Sequence, residues 1–176
     1  MRISRRLFFV LFADNNHGKT TMIRGLVSQG LGRAVKKQMK GRRTLVTPTG
    51  REIDSYIFGR SYQEVEKGAY GNVGAALDGN DPERRKRELI VMPSHVHGIK
   101  KTKNSPCDID QMIDIAHSAG FDIICASVEY KDNFQNNSSK FGDIWKKPWD
   151  EKWTVPNPEK TKFEGQLDAI GRDLWF

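Results

Sequence analysis

The first ordered feature of the chain is a continuous apolar run, Leu7-Phe-Phe-Val-Leu-Phe12-Ala13, followed by the polar residues Asp14, Asn15, Asn16 and His17. An unbroken apolar stretch rich in aromatic side chains predicts a central β-strand covered on both faces. After Gly18 the period changes. Met22, Ile23, Leu26 and Val27 fall on one face of a helix expected to end near Gly30. The pattern reads as strand, polar loop, helix.

Further along, Thr44 to Thr47 predicts a second strand, stopped by the turn residues Pro48-Thr49-Gly50. Glu88-Leu-Ile-Val-Met92, with Pro93 behind it, predicts a third. Ser105 then offers a helix cap, Pro106 suits the first helical position and Asp108 gives an acidic first turn. Ile109, Met112, Ile113 and Ala116 supply that helix's buried face, and Gly120 its stop. Phe121 to Ala126 predicts a fourth strand, Lys152 to Val155 a short edge strand, and Phe163, Leu167, Ile170 and Leu174 a C-terminal amphipathic helix. Two βαβ-like units imply an α/β fold with three layers, a parallel sheet flanked by helices, in one domain covering 1–176. Two segments lack a clear period. Residues 54–80, interrupted by glycines, are expected as short helical pieces of a substrate-side insertion, and residues 130–153 as a long lid-like loop.

Composition narrows the partners. The 176 residues carry 29 Lys and Arg against 22 Asp and Glu, a formal charge of +7, which favours polyanions. The cations cluster at Arg33, Lys36, Lys37, Lys40, Arg42 and Arg43, at Arg84 to Arg87, and at Lys100, Lys101 and Lys103. These clusters read either as a nucleic-acid patch or as a solvated basic face. The apolar run 7–13 is too short for a membrane-spanning helix, and the basic start before it lacks a small-residue cleavage site, so it is read as a strand and not a signal peptide. Cys107 and Cys125 are too few for a disulfide scaffold. A cytoplasmic protein is the expectation.

The polar loop after the first strand carries the chemistry. Ala13-Asp-Asn-Asn-His-Gly-Lys-Thr20 fits a small residue, four others, then Gly-Lys-Thr. Backbone N–H groups of such a loop can face phosphates, the helix that follows turns its positive dipole end on them, Lys19 reaches the outer phosphates and Thr20 offers a hydroxyl to Mg²⁺. Ala13, Asp14, Asn15, Asn16, His17, Gly18, Lys19, Thr20 and Thr21 are therefore the expected contacts to ATP or GTP.

On this motif the chain resembles the P-loop nucleoside triphosphatases, and within them the branch of small nucleotide and polynucleotide kinases. The resemblance covers the first strand, loop and helix closely and the rest by order of elements. It implies a five-stranded parallel sheet, a substrate insertion after the second strand and a lid after the fourth. The chain departs from that pattern in having Ala13 where glycine is usual, and Met92-Pro93-Ser94-His95 where most relatives place a magnesium-binding aspartate. Ser94 is the candidate for a metal-bound water, and Asp14, Asp54 or Glu129 for the missing carboxylate.

Phosphoryl transfer to a nucleotide or nucleic-acid acceptor is the leading expectation, with Lys19 on the phosphates, Arg51 gripping the acceptor and Asp54 as base. A surface turn with an ordinary ion pair is the plainer reading of Arg51 and Asp54. Arg60 is a second anion ligand. Lys131, Lys140, Lys146 and Lys147 are cations that either close over phosphates or stay solvated. Trp145, Trp149 and Trp153 pack a helical turn, stack on bases or form a protein interface. His95 is expected to line the nucleotide pocket; with His97, His17 and His117 it forms no familiar zinc spacing. The competing expectation is a nucleotide-binding regulatory NTPase subunit, and a third is a basic nucleic-acid-binding NTPase.

Overall fold

The computed structural model describes residues 5–13, 18–95, 108–129 and 138–156. The apolar run forms β1 (Leu7–Ala13), and its alternation sends Phe8, Val10 and Phe12 into one core and Phe9, Leu11 and Ala13 into the other. A strand that feeds two cores must be covered on both sides. On the second core lies α1 (Lys19–Leu31), through Met22, Ile23, Leu26 and Val27. The first core is closed by α3 (Val73–Asn80), α4 (Asp108–Ser118) and Ile144 of α5 (Ser138–Trp145), with the short α2 (Glu66–Tyr70) leading into α3. The expected face of α4 is buried at Ile109, Met112, Ile113 and Ala116.

β1 pairs in parallel with β4 (Leu89–Val91), with the two-residue β5 (Ser94–His95) that continues it, and with β6 (Asp122–Glu129). β3 (Glu52–Ile57) lies outside β4, and β7 (Glu151–Pro156) outside β6, both parallel to their neighbours. Antiparallel β2 (Gly41–Val46) forms one edge, giving a seven-stranded mixed sheet in the order β2-β3-β4-β1-β6-β7 with β5 beside β1. The fold is α/β, with a mostly parallel sheet flanked by helices. β1 connects toward β3 and β6 connects toward β7, so the chain leaves this adjacent pair in opposite directions. Such switch points open a crevice at the C-terminal ends of the strands.

Two expectations are corrected. The second strand spans Gly41–Val46 and turns back into β3, so Asp54 is a strand residue and the helical pieces begin only at α2. Hydrogen bonds close that turn, from Thr47 N to Arg51 O (2.8 Å) and Gly50 N to Thr47 O (2.9 Å), and long-range pairing then decides the conformation of 52–57. Within the segment expected as a lid-like loop, residues 138–145 form the helix α5, while β7 takes up the edge strand expected at Lys152 to Val155. Ile144 of α5 is buried, and Trp149 Nε1 donates to its carbonyl at 2.9 Å, so this segment packs inward. The cap Ser105-Pro106 and the helix expected after Pro158 lie outside the described residues. Among the described residues, no helix is long and apolar enough to cross a membrane.

Candidate functional site

At the C-terminal edge of the parallel strands, β1 ends at Ala13 and α1 begins at Lys19, while Asp14, Asn15, Asn16 and His17 lie outside the described residues. Gly18 caps the helix with φ 80° and ψ 4°, a left-handed conformation that is strained for residues with a Cβ. Among the described residues, no side chain caps this end. The first-turn N–H groups of Lys19, Thr20 and Thr21 thus present the positive end of α1 at the edge.

Lys19 is only 6% exposed. Its Nζ donates to Ala13 O at 2.8 Å and lies 3.2 Å from His95 Nδ1, so it bridges the two ends of the loop and the tip of β5. His95 stands opposite Ala13 in the sheet register, with its Nε2 3.0 Å from Glu64 Oε1. Burial and the adjacent Lys19 charge hold the imidazole below its ordinary value, against the pull of Glu64, so the ring is neutral at pH 7. Thr20 lines a shallow cleft with Ile23, Arg24, Gln38, Met39 and Gly59.

Behind this front lies a buried polar chain. Gln63, 5% exposed, accepts from His95 N at 3.0 Å and donates to Ser94 Oγ at 2.9 Å and Asp108 Oδ2 at 3.1 Å. Asp108, 3% exposed at the start of α4, also receives Lys67 Nζ at 2.7 and 2.9 Å. Every partner in this chain answers another, as burial of polar groups requires. Ser94 Oγ donates onward to His95 O at 3.2 Å.

Arg51 and Asp54 are not brought to Lys19. The register sets Ser55, Leu89 and Leu7 at one level, with Asp54 just below it, whereas Ala13 lies at the far end of β1, about 20 Å away at ~3.3 Å per residue. Asp54 is gripped by Arg42 (2.9 and 3.1 Å) and Arg87 (2.7 Å). Burial alone would raise its pKa, but those guanidinium hydrogen bonds outweigh it and hold the carboxyl below its ordinary range. A carboxylate so held is a poor proton acceptor. Arg51 pairs with Glu88, whose Oε2 accepts from Asp54 N at 3.0 Å. Both residues therefore belong to an ionic network at the opposite edge.

The basic cluster 84–87 lies at that far edge too. Arg87 binds Asp81 and Asp54, Arg84 binds Asp78 at 2.6 Å, and Lys86 pairs with Glu83. Arg60, in contrast, follows β3 at the near edge and donates to Gln38 Oε1 at 2.8 Å.

Trp145, Trp149 and Trp153 face the core. Trp149 stacks on Phe12 (6.2 Å, 2°), Trp153 on Phe9 (5.7 Å, 11°), and Trp145 lies tilted on Phe12 at 6.3 Å. Lys147 is tied to Asp110 and Lys146 is exposed. His117 Nε2 meets Asp150 Oδ2 at 3.0 Å, fastening α4 to the turn before β7. Burial pushes the Cys125 thiol up, which makes it inert. His17, His97, Lys131, Cys107 and Lys100 to Lys103 lie outside the described residues.

Gln63, Glu64 and Asp108 are the site residues that sequence reasoning missed. Asp108 was legible only as a helix-start acid, and Gln63-Glu64 sit in a short turn without a motif. No known protein family matches the chain, and no curated protein matches its sequence.

Proposed function

We propose that the chain is a P-loop kinase-like protein that binds ATP or GTP at Ala13 to Thr21 and transfers the γ-phosphoryl group to a hydroxyl acceptor. The observation that carries this reading is Lys19. Its ammonium is held at the start of α1, where it donates to the Ala13 carbonyl at 2.8 Å and lies 3.2 Å from His95 Nδ1, and the Gly-Lys-Thr sequence stands at a strand-to-helix junction.

Thr20 would offer Mg²⁺ a hard hydroxyl oxygen, with the nucleotide phosphates and water completing its shell, while Ser94, fully buried with its hydroxyl bonded to Gln63 and His95, would stand behind that shell. The ion would neutralise charge on the phosphates. Glu64 takes the role expected of Asp54. Its carboxylate, fixed by His95, would accept the acceptor's O–H proton as that oxygen bonds to the γ-phosphorus and the bond to the β-phosphate oxygen breaks, releasing the nucleoside diphosphate. Arg60, at the same edge, would hold an anionic group of the acceptor in place of Arg51.

A regulatory NTPase is the second reading, favoured by one observation. The tip of β5 offers the Ser94 hydroxyl where a carboxylate would hold the metal more firmly, and Asp108 is already bound by Lys67. Incubation with γ-labelled ATP or GTP and Mg²⁺, alone and with nucleosides, nucleotides and 5′-hydroxyl oligonucleotides, separates the two. Label on an acceptor supports transfer; phosphate release without it supports the regulator; neither nucleotide binding nor turnover would sink both.

A further inference from the structure

The segment between α1 and β2 is a built basic surface, and its position separates it from the other cationic cluster. Between Asp14 and Glu52 every charged residue is a lysine or arginine. The chain leaves α1 through Gly32 and climbs back along the helix to Gly41 at the C-terminal edge, where Gly41 pairs with Ile57. The climb is pinned at two heights. Midway, Val35 is buried, its N–H donates to Ser28 Oγ at 2.9 Å and its carbonyl accepts from Arg24 Nε at 3.0 Å. At the top, Arg60 Nε binds Gln38, and Met39 packs so closely on Gly59 that a Cβ there would stand 2.6 Å from the Met39 carbonyl oxygen.

On this fixed backbone Arg33, Lys36, Lys37 and Arg60 are exposed. Among the described residues none of the four has an ion-pair partner. Lys40 differs, because its Nζ pairs with Glu66. The stripe follows a helix of 13 residues, about 20 Å at ~1.5 Å per residue, long enough to meet several consecutive phosphates of a single strand. Its upper end is the cleft lined by Thr20, Arg24, Gln38, Met39 and Gly59. Exposed cations held on a fixed backbone and without ion pairs among the described residues fit the regular negative charge of a phosphodiester chain.

We infer that this stripe binds single-stranded nucleic acid and leads it along α1 toward Thr20. That the strand ends at a phosphoryl-transfer site rests on the function proposed above; that it binds the stripe does not. The test is fluorescence-anisotropy titration of labelled oligo-dT and oligo-U at several salt concentrations, with nucleotide binding measured on the same samples. For contacts to three or four phosphates, log K should fall with log salt at a slope of about −2 to −3, at ~0.7 per phosphate. Lys36→Ala with Lys37→Ala should weaken binding about tenfold and flatten the slope by about 1.4. The far-edge control Arg85→Ala with Lys86→Ala should bind as wild type. Absence of oligonucleotide binding, a slope unmoved by the Lys36 and Lys37 changes, equal loss in the far-edge control, or equally tight binding of polyglutamate would overturn the inference. Lost nucleotide binding with oligonucleotide binding intact would instead count against the phosphate-loop reading alone.

Discussion

Glu64 Oε1 lies 3.0 Å from His95 Nε2, and this contact joins the turn after β3 to the strand tip beside Lys19. It brings a carboxylate to the edge where the helix α1 begins. Glu64→Gln should therefore lower acceptor phosphorylation by about 10² or more while leaving nucleotide affinity within a few fold, the pattern expected for loss of a proton acceptor. Single-turnover rates and equilibrium binding on the same variant would show it. Unchanged turnover would remove Glu64 from the reaction.

Gln63 organises the buried side of the site. Its amide serves His95 N, Ser94 Oγ and Asp108 Oδ2 together, so Gln63→Ala would strand several buried polar groups at once. A loss of about 2–4 kcal/mol is expected, given ~1–3 for a single unsatisfied group. Urea unfolding of the variant measures it directly.

Much of this architecture was legible in the sequence because it is set by local period. The run 7–13, the α1 face, the α4 face and the strand at 89–91 all follow from apolar spacing. The β2–β3 hairpin was not, although Pro48-Thr49-Gly50 marked its turn. Arg42, Arg43, Glu52 and Asp54 masked the strand alternation with charge, and their meaning appears only when Arg42 and Asp54 meet across the sheet. The same holds for the site. Lys19, Ser94 and His95 were singled out from the motif and the strand ends, whereas Gln63, Glu64 and Asp108 come from separate elements that no spacing rule connects.

Asp54 should make stability sensitive to acid. Its folded pKa lies below the ordinary carboxylate value near 3.8, so its contribution is present above that value and is lost as pH falls through the folded pKa. Asp54→Asn should be less stable than wild type at pH 7, yet lose less on acidification to below about pH 4. Urea midpoints at the two pH values test this. Nucleotide binding should be unaffected, because the residue stands at the opposite edge from Lys19.

Trp149 contributes through packing on Phe12. Trp149→Ala should cost about 3 kcal/mol and Trp149→Phe less than ~1.5, since the second keeps a stacked ring. Equal effects of the two changes in denaturant unfolding would show that the ring contact contributes little.

The most direct test of the phosphate-binding role is equilibrium binding of labelled ATP and GTP with Mg²⁺ to the wild-type chain and to Lys19→Ala, with folding checked by circular dichroism. The expected result is saturable binding by the wild type and at least a tenfold loss in a folded Lys19→Ala, about 1.4 kcal/mol or more. A wild type that binds neither nucleotide, or a folded Lys19→Ala that binds as tightly as the wild type, would contradict it.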